Sequence, residues 1–321
     1  MEFDILMQHI NLTKTSKIGL MEKATNTLIN DEEADDTLLR LEELAEVALS
    51  NEKWIGNADD YHNFAVTYAR LDQEDRACQI LEKGINTFSN NVDLLADYIQ
   101  YGIVCAEFEK CNQYYDKLLS IPKERWNWRA FTFSIDYILA TLEFSDITLK
   151  NYLSIKENAM EIAKEFQQYW PNNEQCYASE YDIHTAFNDR KNAEKCLVNA
   201  LTTLSVAPKC ALRLADMSFE KGEYESTLKY LKRCEIDAIK PQSGIDMGYL
   251  YLLMTLSEIA LLYKCNEFKF QNEDSNEKVK EIYKLSSVAK DLLKNKISMK
   301  KSLNDIIKIV EAKTGIDYYE E

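Results

Sequence analysis

Small and apolar residues recur along this chain in triplets at i, i+4 and i+7, the spacing that lines one stripe of an α-helix. Ala193, Leu197 and Ala200 form one triplet, and Thr227, Leu231 and Cys234 repeat it 227 − 193 = 34 residues later. Upstream, Ala77, Leu81 and Gly84 are followed by Cys111, Tyr115 and Leu118, and 111 − 77 = 34 again. A period of about 34 is that of a helix–turn–helix unit, which cannot bury its apolar face alone and must stack on its neighbours. The pattern predicts repeats over roughly 58–91, 92–125, 126–173, 174–207 and 208–241. The third is enlarged by 48 − 34 = 14 residues. With no Gly or Pro between Arg125 and Trp170, the surplus is expected as about two extra turns on each of its helices, at ~3.6 residues per turn.

Residues 1–56 read as an N-terminal helical cap or divergent repeat, with helices near Lys17–Ile29 and Asp36–Leu49 around the acidic turn Asp31–Asp36. Asn57 is placed to N-cap the next helix, ahead of Asp59 and Asp60 in its first turn. After the repeats, 242–321 reads as a long helical pair, near Gly244–Asn266 and Asn276–Asn295, and a capping helix over Met299–Lys313. The polar stretch Glu267–Ser275 joins the pair, and a short tail follows the last helix.

The residues at the other repeat positions carry a resemblance. In Asp59–Asn91, Tyr61 opens the first helix, Phe64 and Ala65 give a large–small pair and Tyr68 closes the face. From Pro208 the pattern returns with Leu214 and Ala215, then Gly222-Glu223-Tyr224 at the turn. This resembles the tetratricopeptide repeat family over about 58–241, and implies an all-α, right-handed α-solenoid of stacked helix–turn–helix repeats. Gly222 suits the left-handed backbone at the end of a first helix.

The resemblance further implies a ligand surface lined by the first helices. Its positions here include Asp59, His62, Asn63 and Val66, then Asp93, Ala96, Asp97 and Gln100. Ala178, Ser179, Asp182 and Thr185 follow, then Lys209, Leu212, Arg213 and Asp216. Family members that clamp a chaperone's C-terminal carboxylate use Lys, Asn and Arg on consecutive first helices. Asp59, His62 and Asp93 stand on that surface here, which disfavours this role. Lys209 and Arg213, four apart on one face, are either an anion site or groove-edge charges neutralised by Asp216 or Asp182. Trp126, Trp128, Phe131 and Phe133, flanked by Arg125 and Arg129, have the composition of an interface hot spot, or else fill the enlarged third repeat.

Composition narrows the function. Eight Gly and four Pro among 321 residues leave little material for strand turns or phosphate loops. No apolar run approaches the ~20 residues of a membrane span, and Met247–Tyr263 contains Ser257 and Glu258. The acidic N-terminus lacks a signal peptide's basic flank, so a cytoplasmic chain is expected. The eight cysteines show no Cys-x-x-Cys pair, and His9, His62 and His184 show no cluster with them. No metal, cofactor or disulfide is therefore expected.

A net charge of −16 disfavours nucleic acid. The charge is uneven: residues 1–60 carry 14 acids against 5 Lys/Arg, and 277–313 carry 10 Lys against 5 acids. These are either solvated faces or ends suited to head-to-tail association of copies. No phosphate loop, His-Glu-x-x-His or nucleophile elbow is present, so no enzyme is expected. The leading expectation is an adaptor that binds a partner peptide or helix in a concave groove. The candidate residues are His62, Asn63, Gln100, Arg125, Trp126, Trp128, Arg129, Asp182, Lys209, Arg213 and Asp216. The alternatives are a peptide-sensing regulator acting through its N-terminal helices, and a self-assembling structural subunit.

Overall fold

The computed structural model describes residues 42, 45, 46, 49, 50, 56–144, 149–238, 245–264, 273–293 and 296–315. The expected helix near 17–29, the acidic turn 31–36, residues 267–272 of the polar joint and the tail after 315 lie outside them. Among the described residues all regular structure is helical, as the triplets predict. The chain divides into two compact units, one ending at Leu204 and the other taking up at Ser205.

Among the described residues, the first unit contains four helix pairs. They are α1 (Ala58–Arg70) with α2 (Glu74–Thr87), α3 (Val92–Val104) with α4 (Phe108–Leu119), α5 (Trp128–Phe144) with α6 (Leu149–Tyr169), and α7 (Glu174–Ala186) with α8 (Arg190–Thr203). Each first helix packs on its own second helix, and also on the next first helix: α1 on α3, α3 on α5, α5 on α7. Such stacking lays the first helices side by side as one surface. The second unit pairs α9 (Pro208–Glu220) with α10 (Tyr224–Ala238), then stacks α11 (Met247–Lys264), α12 (Glu273–Leu292) and α13 (Ile297–Thr314) in succession.

The triplet positions are where helices cross. Ala77, Leu81, Ala193, Leu197, Ala200, Thr227, Leu231, Cys234, Cys111 and Leu118 are all buried. Tyr115 is half-buried. Helix starts are capped as the sequence chemistry requires. Asn57 Oδ1 accepts from the Asp60 amide at 2.9 Å while Asp60 Oδ2 accepts from the Asn57 amide at 2.8 Å, a reciprocal capping box. Asn91, Asn127, Asn173 and Asp189 cap α3, α5, α7 and α8 with a single side-chain oxygen that accepts from a first-turn amide.

The turn inside each regular repeat is itself repeated. Asp72, Ala106, Asn188 and Gly222 have φ of 58°, 58°, 56° and 74°, all left-handed. Their spacing is again the period, since 106 − 72 = 34 and 222 − 188 = 34. After each, the next amide reaches back to the first helix: Gln73 to the Tyr68 carbonyl, Glu107 to Gly102, Asp189 to His184 and Glu223 to Ser218, at 2.8–3.0 Å. These are Schellman closures that satisfy otherwise orphaned carbonyls. Only Gly222 advertised the conformation in sequence. Asp and Asn tolerate it, and Ala106 holds it at a cost of about 1 kcal/mol.

The enlarged third repeat has the expected longer helices, 17 residues in α5 and 21 in α6 against 13 in α1, α3, α7 and α9. Lys123–Arg125 forms a 3-10 turn ahead of α5. Aromatic rings fill the added width. Phe131 stacks on Phe166 with centroids 5.1 Å apart, and Trp126 tilts against Phe131 at 5.1 Å. Trp126, 2% exposed, gives its indole N–H to the Ile121 carbonyl. Of the two uses left open for the tryptophan–arginine cluster, packing claims Trp126, Phe131 and Phe133, while Trp128 stays exposed. No described helix is long and apolar enough to cross a membrane.

Candidate functional site

Three consecutive first helices bring charged side chains to one point. Asp93 and Asp97 lie four apart on α3 and therefore share a face. His62 comes from α1, and Arg129 from the first turn of α5. Asp97 is only 2% exposed and accepts on both oxygens. His62 Nδ1 lies 2.5 Å from Asp97 Oδ2, and Arg129 Nη1 lies 3.2 Å from Asp97 Oδ1. The other guanidinium nitrogen, Nη2, donates to Asp93 Oδ1 at 2.5 Å, and Asn127 Nδ2 donates to that same oxygen at 2.5 Å. Arg129 Nη1 also faces His62 Nε2 at 3.4 Å. A ring with its proton on Nδ1 satisfies both of its contacts.

The electrostatics follow from burial. A buried carboxylate is tolerated only when paired and hydrogen-bonded, and Arg129 supplies the compensating charge from a planar fork that reaches both aspartates. Two carboxylates against one guanidinium leave the cluster with an excess negative charge, and Asp93, the more exposed member, takes both of its bonds on one oxygen. Nearby on α3, the Tyr101 phenol is pushed above its ordinary pKa, first by burial and then by the charge of Asp97, with Arg129 opposing.

The repeat period explains the convergence. His62 and Asp97 are 35 residues apart, Asp93 and Asn127 are 34 apart, and Asp93 and Arg129 are 36 apart. Residues one period apart become neighbours when first helices stack. In sequence, His62 and Arg129 are candidates on separate grounds, and Asp93 and Asp97 are only positions of the first-helix surface. A search for complementary side chains 34–36 apart finds the pairs His62–Asp97 and Asp93–Arg129; the contact of Arg129 with Asp97, 32 residues apart, joins the two pairs only in the fold.

The remaining candidates are dispersed. Asn63 and Arg125 are exposed, and Gln100 is half-buried on α3. Asp182 is half-buried on α7. Lys209, Arg213 and Asp216 lie on α9 in the second unit, each already engaged in interactions within the protein. Asp216 there accepts from the Tyr249 hydroxyl at 2.6 Å, which ties α9 to α11; burial first, and the Asp216 charge after it, push the Tyr249 phenol well above its ordinary pKa.

No family model and no curated protein sequence matches the chain. Solved structures of similar shape include a thermophilic TPR protein of Thermus thermophilus, at 15% identity and a TM-score of 0.49, covering 64% of this chain and 99% of that one. Another is PilF of Pseudomonas aeruginosa, at 14% identity and 0.48, covering 77% and 97%. A third is the Cut9–Hcn1 assembly of the APC/C, at 9% identity and 0.46, covering 83% of this chain and 45% of that one.

Proposed function

We propose that the chain is a protein-binding adaptor whose first-helix surface takes an extended segment or helix of a partner, oriented by a basic group of that partner at Asp93. The observation that carries this reading is the convergence of His62, Asp93, Asp97 and Arg129 from three successive first helices. A cluster pre-ordered by its own hydrogen bonds loses little side-chain freedom on binding, which favours affinity. The excess negative charge selects Lys or Arg over acidic residues, and neither internal bond to Asp93 uses Oδ2. Trp128, exposed in the same first turn of α5 as Arg129, offers an aromatic contact on that helix.

The test is selection of binders from a displayed random-peptide library on the full chain, followed by affinity measurement against the wild type and Asp93→Ala. Peptides enriched in Lys or Arg, with binding weakened about tenfold or more in the variant, are expected. Selected peptides that bind Asp93→Ala and Trp128→Ala as tightly as wild type, in variants with unchanged helicity, would remove the site. Failure to select any peptide would remove the reading.

A further inference from the structure

Away from the Asp97 cluster, three metal-ligating side chains of different chemistry meet between α7 and α8. Glu180 and His184 are four apart on α7, and Cys196 faces them from α8; one ligand atom from each lies within 4.8 Å of the other two. We propose that Glu180, His184 and Cys196 form a binding site for a zinc-class divalent cation, with water in the fourth position. One sulfur, one imidazole nitrogen and one carboxylate oxygen make a donor set that suits a tetrahedral borderline-soft ion.

The surroundings of each ligand favour this use. His184 is 7% exposed, and its Nδ1 has no hydrogen-bond partner. That nitrogen faces Asp189 Oδ2 at 3.4 Å, while Nε2 faces Glu180 Oε1 at 3.8 Å. A metal on Nε2 would leave the Nδ1 proton aimed at a carboxylate, the arrangement that orients ligating histidines and raises their basicity. Glu180 is held similarly: its Oε2 accepts from Gln167 Nε2 at 2.5 Å, which leaves Oε1 on the side of His184. The Cys196 thiol is buried against the Glu180 carboxylate, two groups that a cation would draw together once the thiol proton has left. Tetrahedral coordination needs nitrogen and sulfur about 3.5 Å apart, so closing the site from a separation of at most 4.8 Å requires a movement of no more than about 1.3 Å. Glu180 is partly open to solvent and supplies the path of entry.

Sequence spacing predicts no metal, because the three ligands are not clustered along the chain. One helical turn and one helix crossing assemble them.

The experiment uses the full chain stripped with chelator and titrated with Co²⁺, whose thiolate charge-transfer and tetrahedral ligand-field bands report sulfur ligation. One equivalent is expected to develop both bands, and zinc to abolish them by displacement. Cys196→Ser and His184→Gln are each expected to lose the bands, with Cys105→Ser unaffected. Asp189→Asn keeps a competent helix cap, and is expected to weaken binding tenfold or more. Absence of the bands at stoichiometric cobalt would overturn the site, as would their persistence in Cys196→Ser or His184→Gln. Should a variant lose helicity, X-ray absorption of the zinc-loaded wild type decides: one sulfur in the first shell is expected, and none or several overturns the assignment.

Discussion

Arg129→Met removes the guanidinium while keeping the length and apolar bulk of the side chain. It leaves Asp97, 2% exposed, with His62 as its remaining contact of the two. Stranding one member of a buried pair costs ~3–5 kcal/mol. Because Arg129 is itself 23% exposed and His62 stays in place, the low end applies, about 3 kcal/mol. The unit that unfolds spans 204 − 29 + 1 = 176 residues, for which each kcal/mol lowers Tm by about 2–4 °C. The melting point is therefore expected to fall by roughly 6–12 °C.

All four tryptophans, Trp54, Trp126, Trp128 and Trp170, fall within that unit. Urea melts followed by indole fluorescence therefore report its unfolding apart from the rest of the chain. Adding Asp97→Asn removes the stranded charge, so the double variant should be more stable than the sum of the two single effects by over 1 kcal/mol. A loss below about 0.5 kcal/mol in Arg129→Met, or additivity within that margin, would refute the coupling.

Ala200→Asp places a charge at a fully buried crossing and should destabilise by on the order of 3 kcal/mol or more; a wild-type melt would overturn the repeat phasing. A Cβ at Gly102 would stand 2.5 Å from Cys111 Sγ, so Gly102→Ala should cost about 1–3 kcal/mol and be partly rescued by Cys111→Ala, read by the same urea melts. Ala106→Gly relieves left-handed backbone at an exposed turn and should gain about 0.5–1 kcal/mol, measured as a rise in the urea midpoint.

Burial lowers the Lys123 ammonium from 10.5 to about 8. Between those pH values the unfolded chain binds more protons, so this residue's contribution to stability rises with pH there. Lys123→Met should thus exceed wild type by most at pH 7 and lose that advantage between pH 8 and 10.5, followed by fluorescence-detected urea melts. An advantage independent of pH would refute the assignment.

The sequence by itself determined the helical class, the period, the cap at Asn57, the glycine turn at Gly222 and the extra length of the third repeat. Each is local chemistry or simple periodicity: small residues every 34 positions, an Asn ahead of an acidic first turn, a stretch free of helix breakers. Three of the four left-handed turn residues were not legible, because Asp72, Ala106 and Asn188 carry no glycine and only the repeat geometry imposes their φ.

Tertiary structure decided which side chains meet. Trp126 and Trp128 are two residues apart, yet the first is buried under Phe131 and the second remains exposed, since helix packing rather than composition divides them. His62, Asp97 and Arg129 read as isolated residues until stacking of α1, α3 and α5 brings one period of sequence within hydrogen-bond distance. Glu180, His184 and Cys196 likewise join only where α7 crosses α8, because burial on a helix crossing depends on the partner helix as well as on the residue.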